Sequence, residues 1–249
     1  NLPWDVDASK LSRELKIPSV YLYNDLQANA NGLKALKPEE FYVLQKGKQQ
    51  AGNQALVSAG TGLGEAGLFW DGKSHRPFAC EGGHCDFAPR NSLEIEFLSF
   101  LQKQYGHASF ERAVSGPGIV QIYQFLKQTK RIASSPIVEE ESKKRDPSLV
   151  ISEYGQMHQD EGCREALKIF LSLYGSEAGN TALKFLALGG VYIGGGIAPH
   201  LLEMFRQSDF LASFCDKGRF KDFLASIPVS IVLNDKAALL GAACYGRGN

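Results

Sequence analysis

The sequence contains no run of about 18 apolar residues, the length a helix needs to cross a bilayer. A helical membrane span is therefore not expected. It has no excess charge of either sign: 27 basic and 27 acidic side chains cancel, and the isoelectric point is about 7.1. That balance speaks against a basic nucleic-acid-binding surface. The first residues, "NLPWDVDASK", lack the basic-then-apolar pattern of a secretory signal. Cysteine is sparse, scattered and odd in number, at 80, 85, 163, 215 and 244. This excludes a disulfide framework as the natural reading and suits reduced thiols in the cytoplasm. Repeats and low-complexity tracts are also missing. What remains is an ordinary globular composition, 44% apolar and 22% charged over 249 residues, enough for one large domain or two modest ones.

Periodicity predicts a mixed α/β chain. "VDASKLSRELKIP" reads as a helix capped by Asp7 or Ser9 and ending near Lys16, before Pro18. "SVYLYND" reads as a short buried strand ending at Asn24 and Asp25, followed by a helical "DLQANANGLKAL". "QKGKQQAGNQ" reads as a loop. "ALVSAG", "GEAGLFWDG" and "SHRPFACEG" read as three strands, with Asp71-Gly72 turning the last two into a hairpin. The period then lengthens. "SLEIEFLSFLQKQYG", with Ser92 as cap, and "PGIVQIYQFLKQTK", with Pro117 in its first turn, read as helices. "SSPIVEEESKKRDPS" reads as a charged surface connection, and "CREALKIFLSLYGSEAGNTALKFLAL" as a long buried helix. Strand "GGVYIGGG", helix "APHLLEMFRQ", strand "IPVSIVLND" and helix "KAALLGAACYG" close the chain.

Five stretches carry candidate chemistry. "GLFWDGKS", residues 67–74, fits the phosphate-loop pattern G-x4-G-K-S/T, but its bulky interior and the following Pro77 favour a β-hairpin. "SAGTGLGEAG", residues 58–67, is a strand-to-strand turn whose amides and Thr61 hydroxyl suit a phosphate, or a hairpin with no ligand. "GGVYIGGGIAP", residues 189–199, lets a flat ring or phosphate approach the backbone, or simply turns sharply from strand to helix. "ACEGGHCDF", residues 79–87, places Cys80, His84 and Cys85 together. No second ligand pair follows, so a zinc site is not expected. Its carboxylate and imidazole suit sugar hydroxyls, or a merely solvated turn. Asn24-Asp25 reads either as polar groups aimed into a cleft or as Asp25 capping a helix that begins at Leu26.

Six segments then join in one order: "LYNDLQANA", "SAGTGLGEAG", "CEGGHCDFAP", "GHASFERAVSGPGIVQIY", "GGVYIGGGIAPHLLEMF" and "DKGRF". Over nearly the whole chain this resembles the bacterial glucokinase family. The resemblance implies an α/β actin-like/hexokinase (ribonuclease H-like) fold that phosphorylates glucose with ATP and Mg2+, with no nucleic-acid or membrane partner and with a homodimer left open. It implies Asp25 as catalytic base and Asn24, Glu81, His84 and Glu111 as further sugar ligands. It places Thr61 and Gly62 against the nucleotide phosphates and Gly194, Gly195 and Gly196 in an adenosine loop.

Two departures qualify it. The cysteine cluster that marks zinc-bearing relatives is missing after His84, where "CDFAPRNSLEIEF" stands, so no metal ligand is assigned. The family's D-x-G-G-T-N hairpin is also absent from these residues. The expected organisation is therefore mostly the large domain: residues 1–34 as a remnant of the small domain, 35–226 as the large domain, and 227–249 returning toward the small one. Such a chain would be weakly active or inactive alone. A sugar-responsive regulator or a non-catalytic sugar-binding protein of the same fold is the alternative.

Overall fold

A computed structural model describes residues 5–246. The chain opens with helices α1 (Ala8–Leu15) and α2 (Asp25–Gly32). Strands β1 (Phe41–Gln45), β2 (Gln54–Ala59), β3 (Leu63–Trp70) and β4 (His75–Cys80) follow. The middle of the chain is helical: α3 (Ser92–Tyr105), the single-turn α4 (Phe110–Ala113), α5 (Gly116–Gln128), α6 (Pro136–Glu141), α7 (Pro147–Gln156) and the long α8 (Glu161–Phe185). Strand β5 (Gly190–Gly194) leads to the short helices α9 (Ile197–His200), α10 (Leu202–Gln207), α11 (Phe210–Cys215) and α12 (Lys221–Ala225). Strand β6 (Val229–Val232) and helix α13 (Ala237–Gly246) complete the order.

The strands form one sheet in the order β1-β6-β5-β2-β3-β4. β6, β5 and β2 run parallel at its centre, while β1, β3 and β4 pair antiparallel outside them. β4 is an edge strand and accommodates Pro77, whose missing N–H costs nothing on an unpaired side. The Asp71-Gly72 hairpin forms as expected: Asp71 accepts the Lys73 and Ser74 amides at 2.9 Å each, and Gly72 takes φ 95°. "GLFWDGKS" is thus a hairpin and not a phosphate loop.

Each face of the sheet carries its own core. One is large, built from α3, α5, α8 and α11 through side chains such as Phe97, Phe125, Phe170 and Phe214. The other is small: Leu33, Leu56, Leu68, Val232 and Ala237 pack under α2 and α13. One buried hydroxyl ties the sheet to α8. Tyr174 Oη accepts the Ala59 amide at 3.1 Å and donates to the Val57 carbonyl at 3.0 Å, beside the Gly194 carbonyl. It therefore sets the ends of β2 and β5, from which both glycine loops emerge at the carboxyl side of the parallel strands. Ligand sites of open α/β sheets lie at that side.

Several expectations need correction. "SVYLYND" forms no strand. It joins no strand of the sheet, Tyr21 is 65% exposed, and Tyr21 and Tyr23 instead pack on Tyr245 of α13. β1, unrecognised in the sequence, is an edge strand against β6. The charged connection after Ser134 folds into α6 and leads into α7, which has Asp146 as cap. "APHLLEMFRQ" is broken at Leu201 into α9 and α10. The cap of α3 is Asn91, whose Oδ1 accepts the Glu94 amide at 3.0 Å, and not Ser92.

Candidate active site

Asn24 caps α2, with Oδ1 accepting the Leu26 and Gln27 amides at 3.0 and 3.1 Å. Asp25 is therefore the first helical residue and not the cap, although its Oδ1 also accepts the Leu26 amide, at 2.8 Å. The cap leaves the Asn24 amide N–H groups and the second Asp25 oxygen free to face a ligand. Both residues line a cavity of about 340 Å3 together with Thr61, Gly62, Glu81, His84 and Glu111. All the residues expected to hold the sugar thus meet in one place, although they come from α2, the β4 exit and α4.

Glu111 organises this cavity. One carboxylate oxygen accepts the Leu63 amide at 3.0 Å, and the other stands 3.9 Å from His84 Nδ1. On its other side, His84 Nε2 stands 4.0 Å from Glu81 Oε2. Glu111 is partly shielded, with 27% of its side chain exposed, whereas Glu81 is 83% exposed. The imidazole between two carboxylates and the Asn24–Asp25 helix start form a ring of donors and acceptors in a cavity whose other lining includes Leu26 and Leu63. That surface suits a polyhydroxylated molecule.

A second cavity, of about 660 Å3, adjoins the first. Its walls are largely apolar, including Pro117, Ile119, Val120, Leu149, Ile197 and Leu201, with Gln121, Asp146 and Ser148 as polar points. Gly60 and Thr61 line both cavities. Gly194, Gly195 and Gly196 line a third cavity beside Asn234 and Asp235, and Gly196 also reaches the apolar one. Gly195 has φ 81°, and a Cβ there would stand 2.1 Å from the Ala59 carbonyl oxygen, so only glycine fits. The sequence reading missed the α7 side of the apolar cavity. The available signal was Asp146-Pro147-Ser148, a helix start in which the Asp146 side chain accepts the Ser148 amide at 2.8 Å.

Among the described residues, no group of three or more His, Cys, Asp or Glu side chains could hold a metal ion. Cys80 donates its thiol to the Glu65 carbonyl at 3.5 Å, and burial pushes the thiol pKa up, away from the thiolate that zinc requires. Elemental analysis of chelator-treated protein should find far less than one zinc per chain. A stoichiometric zinc lost on Cys80→Ser and Cys85→Ser would overturn the assignment of this turn to sugar alone.

The architecture has known counterparts. A crystal structure of glucokinase from an Antarctic psychrotroph matches with a TM-score of 0.85 at 30% identity, covering 97% of this chain and 72% of that one. A ROK-family glucokinase from Streptomyces griseus, solved with glucose and AMPPNP, shares the fold with a TM-score of 0.64 at 20% identity, covering 97% and 72%. These likenesses define a sugar-kinase architecture of the actin-like ATPase class. A family model described as Glucokinase matches residues 1–249, and a glucokinase of Nostoc punctiforme is 42% identical over 262 residues, covering 99% of this chain and 77% of that one. The chain belongs to the glucokinase family.

Proposed function

We propose that the protein transfers the terminal phosphoryl group of ATP to the 6-hydroxyl of glucose, with Asp25 as general base. One observation carries the assignment of sites: a carboxylate-lined polar cavity and a larger apolar cavity meet at Gly60 and Thr61. The polar cavity takes the sugar, and the apolar one takes the nucleotide base and ribose. Thr61 and Gly62 border the phosphates, and the loop Gly194–Gly196 borders the adenosine. Glu81, His84, Glu111 and Asn24 hold the sugar hydroxyls and set the acceptor oxygen beside Asp25. Phosphoryl transfer depends mainly on such positioning and on charge stabilisation. Asp25 accepts the hydroxyl proton as the oxygen attacks phosphorus. Magnesium would arrive with the nucleotide phosphates.

The domain reading is part of the same proposal. Residues 1–34 and 227–249 supply α2 and α13, which lie together on the sheet face opposite the large core. We read α2 and α13 as the side of the cleft that carries the base, and residues 35–226, whose sheet β6 completes, as the body that carries the other ligands.

Glu111 gives the direct test. Glu111→Gln keeps the shape but removes the charge from hydrogen bonds to Leu63 and to a sugar hydroxyl. A charged hydrogen bond contributes about 1.5–3 kcal/mol, so glucose Kd should rise by about 10- to 100-fold. Titration calorimetry with glucose, alongside coupled glucose 6-phosphate formation, checks this. Unchanged affinity would remove Glu111 from the sugar site, and failure of the parent to bind glucose would overturn the whole reading.

A further inference from the structure

Beneath the polar cavity lies a cluster of ionisable groups that the proposed reaction does not use. Glu65 on β3 is paired in register with Cys80 on β4, the residue before Glu81. Only 1% of Glu65 is exposed, and neither carboxyl oxygen has a hydrogen-bond partner. Glu177, on α8, is fully buried and accepts Lys184 Nζ at 3.0 Å and Asn180 Nδ2 at 2.7 Å. The ionisable and polar groups that face Glu65 are Glu177, Thr181, Lys184 and Tyr174 from α8 and Cys80 from β4, with Cys85 next to Cys80. Among the described residues, Lys184 bonds Glu177 directly, Lys217 stands nearby on Ser176, and no cation bonds Glu65. Above them, Gly82 rests directly on Glu65: a Cβ on Gly82 would stand 2.0 Å from Glu65 Oε2. Gly82–His84 is the turn that follows Glu81 and carries His84.

We propose that Glu65 is a positioning residue for this turn, its protonated carboxyl donating a hydrogen bond to Glu177 and forming the floor that sets where Glu81 and His84 stand. The proposal rests on the reading of Glu81 and His84 as sugar ligands. Two ionised carboxylates are both acceptors and cannot bond to each other, so one proton supplies the missing donor. Burial first, and then the charge of Glu177, push the Glu65 carboxyl up to about 8. The bridge is therefore intact at neutral pH and is lost in alkali. Once ionised, Glu65 repels Glu177 and seeks water, and the nearest outlet is the turn at Gly82. The raised value also fixes the sign for stability. The contribution is whole below the ordinary glutamate range, declines as pH rises above it, and is gone once pH has passed through about 8.

Glucose affinity, measured by titration calorimetry between pH 7 and 9.5, tests this. If only the protonated form holds the turn in place, Kd should weaken about tenfold from pH 7 to pH 9, following the protonated fraction. Glu65→Gln keeps the shape and a donor but cannot ionise. It should bind glucose at pH 7 within about twofold of the parent and lose the alkaline fall, with turnover at saturating glucose little changed. Glu177→Gln removes the repelling charge and should move the fall to lower pH, which a packing role alone would not do. A flat profile in a parent that binds glucose would overturn the proposal, as would an alkaline fall that survives Glu65→Gln. If Glu65→Gln does not fold, the parent profile and the Glu177→Gln shift decide. A parent that binds no glucose at any pH would overturn the sugar assignment and this proposal together.

Discussion

In a chain extended upstream by the family's D-x-G-G-T-N segment, Asp25→Asn should lower the turnover of glucose phosphorylation by at least about 100-fold, the lower end of what a positioned general base contributes, while glucose Kd stays within about threefold. The two measurements separate because of how the residue is held. Asp25 meets its own helix through Oδ1, which accepts the Leu26 amide at 2.8 Å. Asparagine offers the same carbonyl acceptor, and Asn24 remains the cap of α2. The fold, and the proposed Asn24 contact with the sugar, should therefore survive. What asparagine cannot do is accept the proton released as the 6-hydroxyl attacks. An effect on kcat without a matching effect on binding is the sign of an interaction made only in the transition state. Coupled glucose 6-phosphate formation and titration calorimetry give the two numbers. Turnover near that of the parent would remove Asp25 from the mechanism.

The strands around the site were legible because their signals are local. "ALVSAG" and "GEAGLFW" are short apolar runs bounded by glycine, and they fold as β2 and β3. Asp71-Gly72 carries its own turn chemistry. "SVYLYND" has the same β-prone composition and yet forms no strand, because strand propensity reflects packing against neighbours and this segment pairs with no strand; its Tyr21 and Tyr23 pack on Tyr245 of α13. β1 was missed for the converse reason. Five residues between polar flanks carry little signal, and its pairing with β6 spans most of the chain.

The candidate site divides along the same line. Each of its pieces is visible as a motif, but the meeting of Asp25 with Glu81 and Glu111 depends on α2 reaching the β4 exit, which no spacing reveals. Glu65 and Glu177 were invisible. A charged residue in a strand or helix is normally read as facing solvent, and only the packed structure shows that both are buried.

The packing of α2 on α13 carries the other large expected effect, and it rests on two glycines. A Cβ at Gly241 would stand 1.7 Å from the Ala28 carbonyl oxygen, and one at Gly32 would stand 1.9 Å from the Ala237 carbonyl oxygen. The helices therefore touch backbone to backbone, and Asn31 Nδ2 donates to the Gly241 carbonyl at 2.8 Å across the seam. Gly241→Val cannot be absorbed by a rotamer change, because the obstacle is main chain. α13 must retreat from α2 by about an ångström or more, at an overpacking cost of about 1–3 kcal/mol. Losing the Asn31 bond adds about 1 kcal/mol. For a chain of this size the sum lowers Tm by roughly 5 to 15 °C. The catalytic cost comes from the other end of α2, where Asp25 lies less than one turn before Ala28. A misplacement of about 1 Å can lower a rate about 100-fold, so turnover should fall well beyond what the lost stability explains at a temperature where the variant is still folded. Leu239→Ala is the control: Leu239 lies on the same helix and is 73% exposed, and its truncation should leave both Tm and turnover nearly unchanged. Thermal melts and coupled assays at 20 °C make the comparison. A Gly241→Val protein with the Tm and turnover of the parent would show that the α2–α13 seam does not hold the base in place.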